Sequence, residues 1–149
     1  MSIYLAAPLF SQAERQWNRQ LAQRIEEETG CTVVLPQDFL GGKEPTSEDD
    51  LATLYRMCIE GVEECDAVVA VLDGPDADSG TAFEMGYARA LAKPIVGVRT
   101  DFREHQDTGT NLMLARSCHS LVHEPSTAGD VAAVAQRVCK ALRDGGVVA

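Results

Sequence analysis

The chain has 149 residues, 45% of them apolar, enough for a single domain whose core needs no disulfide or metal staple. Its formal net charge of −10 and pI near 4.6 argue against a nucleic-acid polymer or an anionic membrane as partner and suit a small neutral or cationic ligand. Five cysteines (Cys31, Cys58, Cys65, Cys118 and Cys139) form no CxxC pair, so neither a disulfide framework nor a zinc knuckle is signalled; with no basic leader, signal-length run or membrane span, a cytoplasmic protein is expected.

Short apolar runs alternate with longer amphipathic stretches, the pattern of a parallel sheet covered by helices. The first strand is expected at Ile3–Ala6. A helix follows from the capping box of Ser11 and Glu14 to Thr29, with Gly30 as its stop. Thr32–Leu35 reads as the second strand, and Pro36–Thr46 as irregular. Ser47 followed by Asp50 announces a second helix to about Glu64, with Leu51, Leu54, Cys58 and Val62 at helical spacing. Ala67–Leu72 is the third strand and Asp73–Gly80 a loop. The third helix runs from Gly80 through Leu91 and closes at Lys93-Pro94. Strands at Ile95–Val98 and Ser120–Val122 flank an irregular Arg99–Thr110. A last helix is expected from about Ala128 to Leu142, burying Val131, Val134, Val138 and Leu142. In such sheets ligands bind where loops leave the carboxyl ends of strands, here Ala7–Ser11 and the three irregular stretches.

Glu84 stands out: the helix carrying it is apolar or small on nearly every face, and Glu84 and Arg89, five apart, do not share one. A buried carboxylate without a partner costs several kcal/mol or titrates upward, so chemistry is the better reason for it than the helix dipole. The span Asp73 to Glu84 fails as an EF-hand, with Pro75, Ala77 and Asp78 where oxygen ligands and glycine belong, so no metal and no other cofactor is expected. His119 and His123 flank a strand and read as solvent or edge histidines. No GxGxxG follows the first strand, and neither GxxxxGK[ST] nor GxSxG occurs. What remains is the carboxylate pair Asp78 and Glu84, the hydroxyl of Tyr4 and the irregular Pro36-Gln37-Asp38-Phe39. Two carboxylates at one cavity suit an oxocarbenium-like transition state, which makes glycosyl transfer the leading class.

Ile3-Tyr4-Leu5-Ala6-Ala7-Pro8-Leu9-Phe10, Cys65-Asp66-Ala67-Val68-Val69-Ala70, Asp78-Ser79-Gly80-Thr81-Ala82-Phe83-Glu84-Met85-Gly86-Tyr87-Ala88 with Lys93-Pro94, and Asn111-Leu112-Met113 together resemble the nucleoside 2-deoxyribosyltransferase family. The resemblance runs from Ile3 to about Val122. It implies a flavodoxin-like doubly wound α/β fold, a five-stranded parallel sheet with helices on both faces, and exchange of the base on a 2′-deoxyribonucleoside. By the same resemblance Glu84 is the nucleophile at C1′, Tyr4 orients it, and Asp78 holds the sugar hydroxyls. Asn111, in the motif with Met113, reaches the 5′-hydroxyl of a neighbouring subunit's substrate, so a homodimer or larger assembly is expected. Gly80 belongs to the substrate-binding block, and Gln37 and Asp38 are the base contacts after the second strand. Phe10 either stacks on the base or is a core phenylalanine.

One position departs from the pattern: Cys58 stands where many members carry an Asp contributing to leaving-group protonation. A thiol, with an ordinary pKa of about 8.5, is a poor substitute, so Asp78 takes over the proton work, or easily departing bases are preferred, or activity is reduced; Cys58 itself reads more readily as helix packing than as a catalytic thiol. Two other functions compete. A sister group hydrolyses 2′-deoxynucleoside 5′-monophosphates, but such a site needs phosphate donors, and here Pro8, Phe10, Asp78 and Asn111 occupy the relevant places. A non-catalytic nucleoside-binding module would have no use for Glu84. The tail Gly145–Ala149 is expected either to be disordered or to reach a neighbouring site.

Overall fold

The computed structural model of the chain describes residues 1–103, 110–125 and 129–149. Five strands, β1 (Ser2–Ala6), β2 (Thr32–Val34), β3 (Ala67–Val71), β4 (Ile95–Arg99) and β5 (Ser120–His123), form one all-parallel sheet in the order β2-β1-β3-β4-β5. Parallel neighbours need crossovers, and α1 (Gln12–Thr29), α2 (Glu48–Glu64), α3 (Ser79–Ala90), α4 (Leu112–Ser117) and α5 (Val131–Asp144) lie between or after the strands. This is the doubly wound order expected of a flavodoxin-like sheet.

Residue alternation along each strand divides the core in two. Ile3 and Leu5 of β1, with Val69, Val71, Val96 and Val98, pack under α1 and α5. Tyr4 and Ala6, with Val68, Ala70 and Leu72, pack under α2 and α3. All of β3 is buried because both its faces are covered.

The helix starts follow their caps. Glu14 N–H donates to Ser11 Oγ at 3.2 Å while Glu14 Oε2 accepts from Ser11 N–H at 2.7 Å, and Gly30 ends α1 at φ 69°. Ser47 and Asp50 repeat the device at α2. Residue 128, where the last helix was expected to begin, lies outside the described residues; α5 starts at Val131, capped by Asp130, whose Oδ1 accepts from Ala132 and Ala133 N–H. Val134, Val138 and Leu142 are buried as expected, whereas Val131, in the first turn, is only partly buried.

Four details differ from the sequence expectations. Pro36–Gly42 forms a kinked 3-10 segment, in which Leu40 and Gly41 adopt positive φ, rather than an irregular loop. The short α4 was not anticipated. The α2 stripe buries Val62 alone, with Leu51 exposed and Leu54 and Cys58 half-buried. The tail neither hangs free nor extends outward: Val147 and Val148 are buried in the core and Arg143 Nε donates to the Ala149 carbonyl. Among the described residues no helix is long and apolar enough to cross a membrane.

Candidate active site

Strand β3 ends at Val71, and the loop after it is held by Asp73, whose carboxylate accepts from the amides of Thr100 and Asp101 and from the Thr100 hydroxyl. The loop delivers Asp78 to the N-cap of α3, where its Oδ2 accepts from Thr81 N–H at 2.9 Å. Glu84 stands beyond the first turn, where the helix dipole has faded, so the dipole does not account for it.

Glu84 faces β1. Tyr4 is fully buried on the α2/α3 side of the sheet, and its hydroxyl donates to Glu84 Oε1 at 2.6 Å. Burial, then the neighbouring Glu84 charge, pushes the phenol pKa far up, so Tyr4 remains a donor at every working pH. Burial raises Glu84 from 4.5 to about 7; the Tyr4 hydrogen bond opposes the rise and the Asp78 charge adds to it. The Cys58 thiol, beside both, is also raised, chiefly by burial.

Two cavities meet at Glu84. One of about 400 Å³, between α2 and α3, is walled by Leu54, Tyr55, Cys58, Phe83 and Tyr87. The other, about 200 Å³, is bounded by Phe10, Pro36, Asp78 and Thr81. Leu54, Cys58, Gly80 and Glu84 line both. The pair offers an apolar chamber and a smaller carboxylate-bearing chamber on either side of the Glu84 carboxylate. No Lys, Arg or His lines either cavity among the described residues.

The structure thus gathers Tyr4, Asp78, Gly80, Glu84 and Phe10. Phe10 is 79% exposed, which removes its reading as a core residue. Gln37 and Asp38 are not brought in. The 3-10 turn rotates Gln37 onto α1, where Nε2 donates to the Arg15 carbonyl at 2.9 Å and Oε1 accepts from Asn18. Asp38 forms an exposed ion pair with Arg19. Asn111 caps α4, accepting from Met113 N–H at 2.9 Å, and Met113 is 73% exposed; neither lines the two cavities of the single chain.

The aromatic wall was missed from sequence. Phe83 and Tyr87, one turn apart on α3, stack with ring centroids 6.5 Å apart, and Tyr55 joins them from α2. Their i, i+4 spacing was the available signal, but it is also the spacing of ordinary core residues.

A parallel α/β sheet with a half-buried carboxylate bonded to a buried phenol between two cavities has the architecture of a small-molecule site. The chain belongs to the nucleoside 2-deoxyribosyltransferase family, whose profile matches residues 3–143. It is similar to the 2-deoxyribosyltransferase of the psychrotolerant bacterium Bacillus psychrosaccharolyticus, at 25% identity and a TM-score of 0.69 over 91% of this chain and 90% of that one. A conserved protein of Enterococcus faecalis V583 shares the fold, with 24% identity, a TM-score of 0.75, and 97% and 98% of the two chains covered. An uncharacterized protein of Schizosaccharomyces pombe is 35% identical over 94 residues; the match takes in 57% of this chain and 43% of that relative's length.

Proposed function

We propose that this chain exchanges the base of a 2′-deoxyribonucleoside through a covalent deoxyribosyl ester on Glu84. The observation that carries the reading is the 2.6 Å bond from buried Tyr4 to Glu84 where two cavities meet. In the first half-reaction a Glu84 oxygen forms a bond to C1′ while the C1′–N bond breaks, its electron pair leaving with the base, which takes a proton from solvent water as it departs. In the second, a nitrogen of an incoming base attacks C1′ from the vacated face, loses its proton and releases Glu84, with net retention. Water in place of the base gives hydrolysis as a side reaction. Tyr4 holds the attacking carboxylate in place, and Asp78 faces the sugar in the smaller chamber. Nothing in this sequence of steps requires a metal.

The absence of any cation from the described cavity walls favours nucleosides over nucleoside 5′-monophosphates, whose dianion would sit beside Asp78 and Glu84. Exposed Asn111 and Met113 are assigned to the site of a second copy, which makes the working unit a homo-oligomer. Incubation with 2′-deoxyinosine or thymidine plus free adenine or cytosine, followed by chromatography, tests the reading. A new deoxynucleoside that requires the acceptor base supports it. Base release from monophosphates alone would replace it with hydrolysis, and inertness towards every donor would leave a binding module.

A further inference from the structure

At the amino ends of β4 and β5, far along α3 from Asp78, a third cavity of about 410 Å³ is lined by Arg89, Lys93, Arg116 and His119, with no Asp or Glu in its wall. The chain holds 23 acidic side chains against 13 Lys and Arg, so three of those cations converging on one acid-free cavity is a marked departure from the surface average. Two of the basic groups have fixed work. Lys93 Nζ donates to the carbonyls of Glu63 and Cys65, and the two ring nitrogens of His119 face the carbonyls of Ile95 and Ala141. Arg89 and Arg116 form no ion pair among the described residues.

Arg89 lies in the last turn of α3 and Arg116 in the last turn of α4, where each complements a helix dipole. That role needs only one cation per helix end and does not require the two to share a cavity with Lys93. Each helix end contributes about half a negative charge, so three full cations leave the cavity positive.

We propose that this cavity binds a phosphate-bearing anion, held by the guanidinium groups of Arg89 and Arg116. Their planar forks match phosphate oxygens, and the volume admits a free phosphate or a nucleotide-sized ligand. A ligand held by both clamps the last turn of α3, the helix that carries Glu84, to the last turn of α4, the helix that Asn111 caps.

Calorimetry at constant ionic strength, with chloride as the balancing ion, tests this using inorganic phosphate, AMP and, as the phosphate-free control, adenosine. Saturable phosphate binding is expected, weakened about tenfold by Arg89→Gln or Arg116→Gln and lost in the double variant. Both arginines are exposed, so these variants keep the fold, and a double Lys variant keeps part of the binding. Glu84→Gln binds phosphate as the parent does, which separates this cavity from the reaction site. AMP binding that depends on Arg89 and Arg116, exceeds that of adenosine and is tighter than that of phosphate identifies a nucleotide as the natural ligand, and arginine-dependent binding equal to that of phosphate identifies free phosphate. Binding no better than chloride, or phosphate binding unchanged in the double Gln variant, would overturn the proposal.

Discussion

The hydroxyl of Tyr4 and the carboxylate of Glu84 are joined across 80 residues of sequence by a 2.6 Å hydrogen bond, one from the middle of β1 and the other from α3. Tyr4 donates throughout the working range, whereas Glu84 changes charge near pH 7. In the proposed mechanism Glu84 attacks as the carboxylate, so kcat/KM is expected to rise with pH through about 7 and level off above it. Tyr4→Phe removes a donor to the charged form, worth roughly 1.5 to 3 kcal/mol. The rising limb then moves up by about one pH unit or more, with kcat falling about ten- to a hundredfold. A pH–rate profile of the two proteins decides, and coincident limbs would remove Tyr4 from the site.

Glu84→Gln separates chemistry from stability. The folded carboxyl titrates near 7 against 4.5 ordinarily, so the fold binds its proton more tightly than the unfolded chain does. Glu84 therefore costs nothing below pH 4.5, costs progressively more between 4.5 and 7, and its full penalty is on the order of 3 kcal/mol above that window. The variant is expected to lose base exchange altogether, yet to unfold at higher denaturant than the parent at pH 8 and together with it at pH 4. Urea titrations at both pH values read this directly; a variant weaker than the parent at pH 8 would contradict the burial argument.

The frame of the molecule was legible because its signals are local. Ser11 with Glu14, Ser47 with Asp50, Gly30 and Lys93-Pro94 each mark an element end by backbone chemistry that acts over a few residues. Helix α4 gave no such signal: it is six residues long and buries none of them, so no periodicity marks it, and only the Asn111 cap was there to read. Gln37 and Asp38 line neither cavity of the single chain because adjacency to a strand end says nothing about rotation, and the 3-10 turn sends them towards α1. Along α2, helical spacing identified one face but not its neighbour; Leu54 and Cys58 bound a cavity rather than filling the core. The meeting of Tyr4 and Glu84 is set by strand order, which no short-range pattern encodes.

Asp78 raises Glu84 through its charge and caps α3 through its shape. Asp78→Ser keeps a capping oxygen, so the stability change is expected to stay within about 1 kcal/mol. Loss of the neighbouring negative charge lowers the Glu84 pKa, and the rising limb of kcat/KM shifts to lower pH. Nucleoside turnover falls tenfold or more by the proposed role at the sugar, while a 5′-phosphate is better tolerated. A limb shifted upward, or unchanged discrimination between nucleoside and monophosphate, would separate Asp78 from Glu84.

Gly61, on α2, reports how tightly the Tyr4 ring is held. Replacing a glycine inside a helix by alanine ordinarily gains about 1 kcal/mol from propensity. Here the added Cβ would lie 2.7 Å from Tyr4 Cε2 and 3.0 Å from Cδ2, and the fully buried ring has no exposed side to move into. Relief requires displacing the ring, which pulls the hydroxyl from Glu84, or displacing α2, which opens the cavity wall. Overpacking of this kind costs roughly 1 to 3 kcal/mol, enough to cancel or exceed the helical gain. Gly61→Ala is therefore expected to lower kcat about tenfold and to reproduce the upward limb shift of Tyr4→Phe, with no further shift when the two changes are combined, because both act on one hydrogen bond. Additive shifts in the double variant, or a Gly61→Ala protein that is more stable and fully active, would mean that α2 yields and that the Tyr4–Glu84 bond does not depend on its packing.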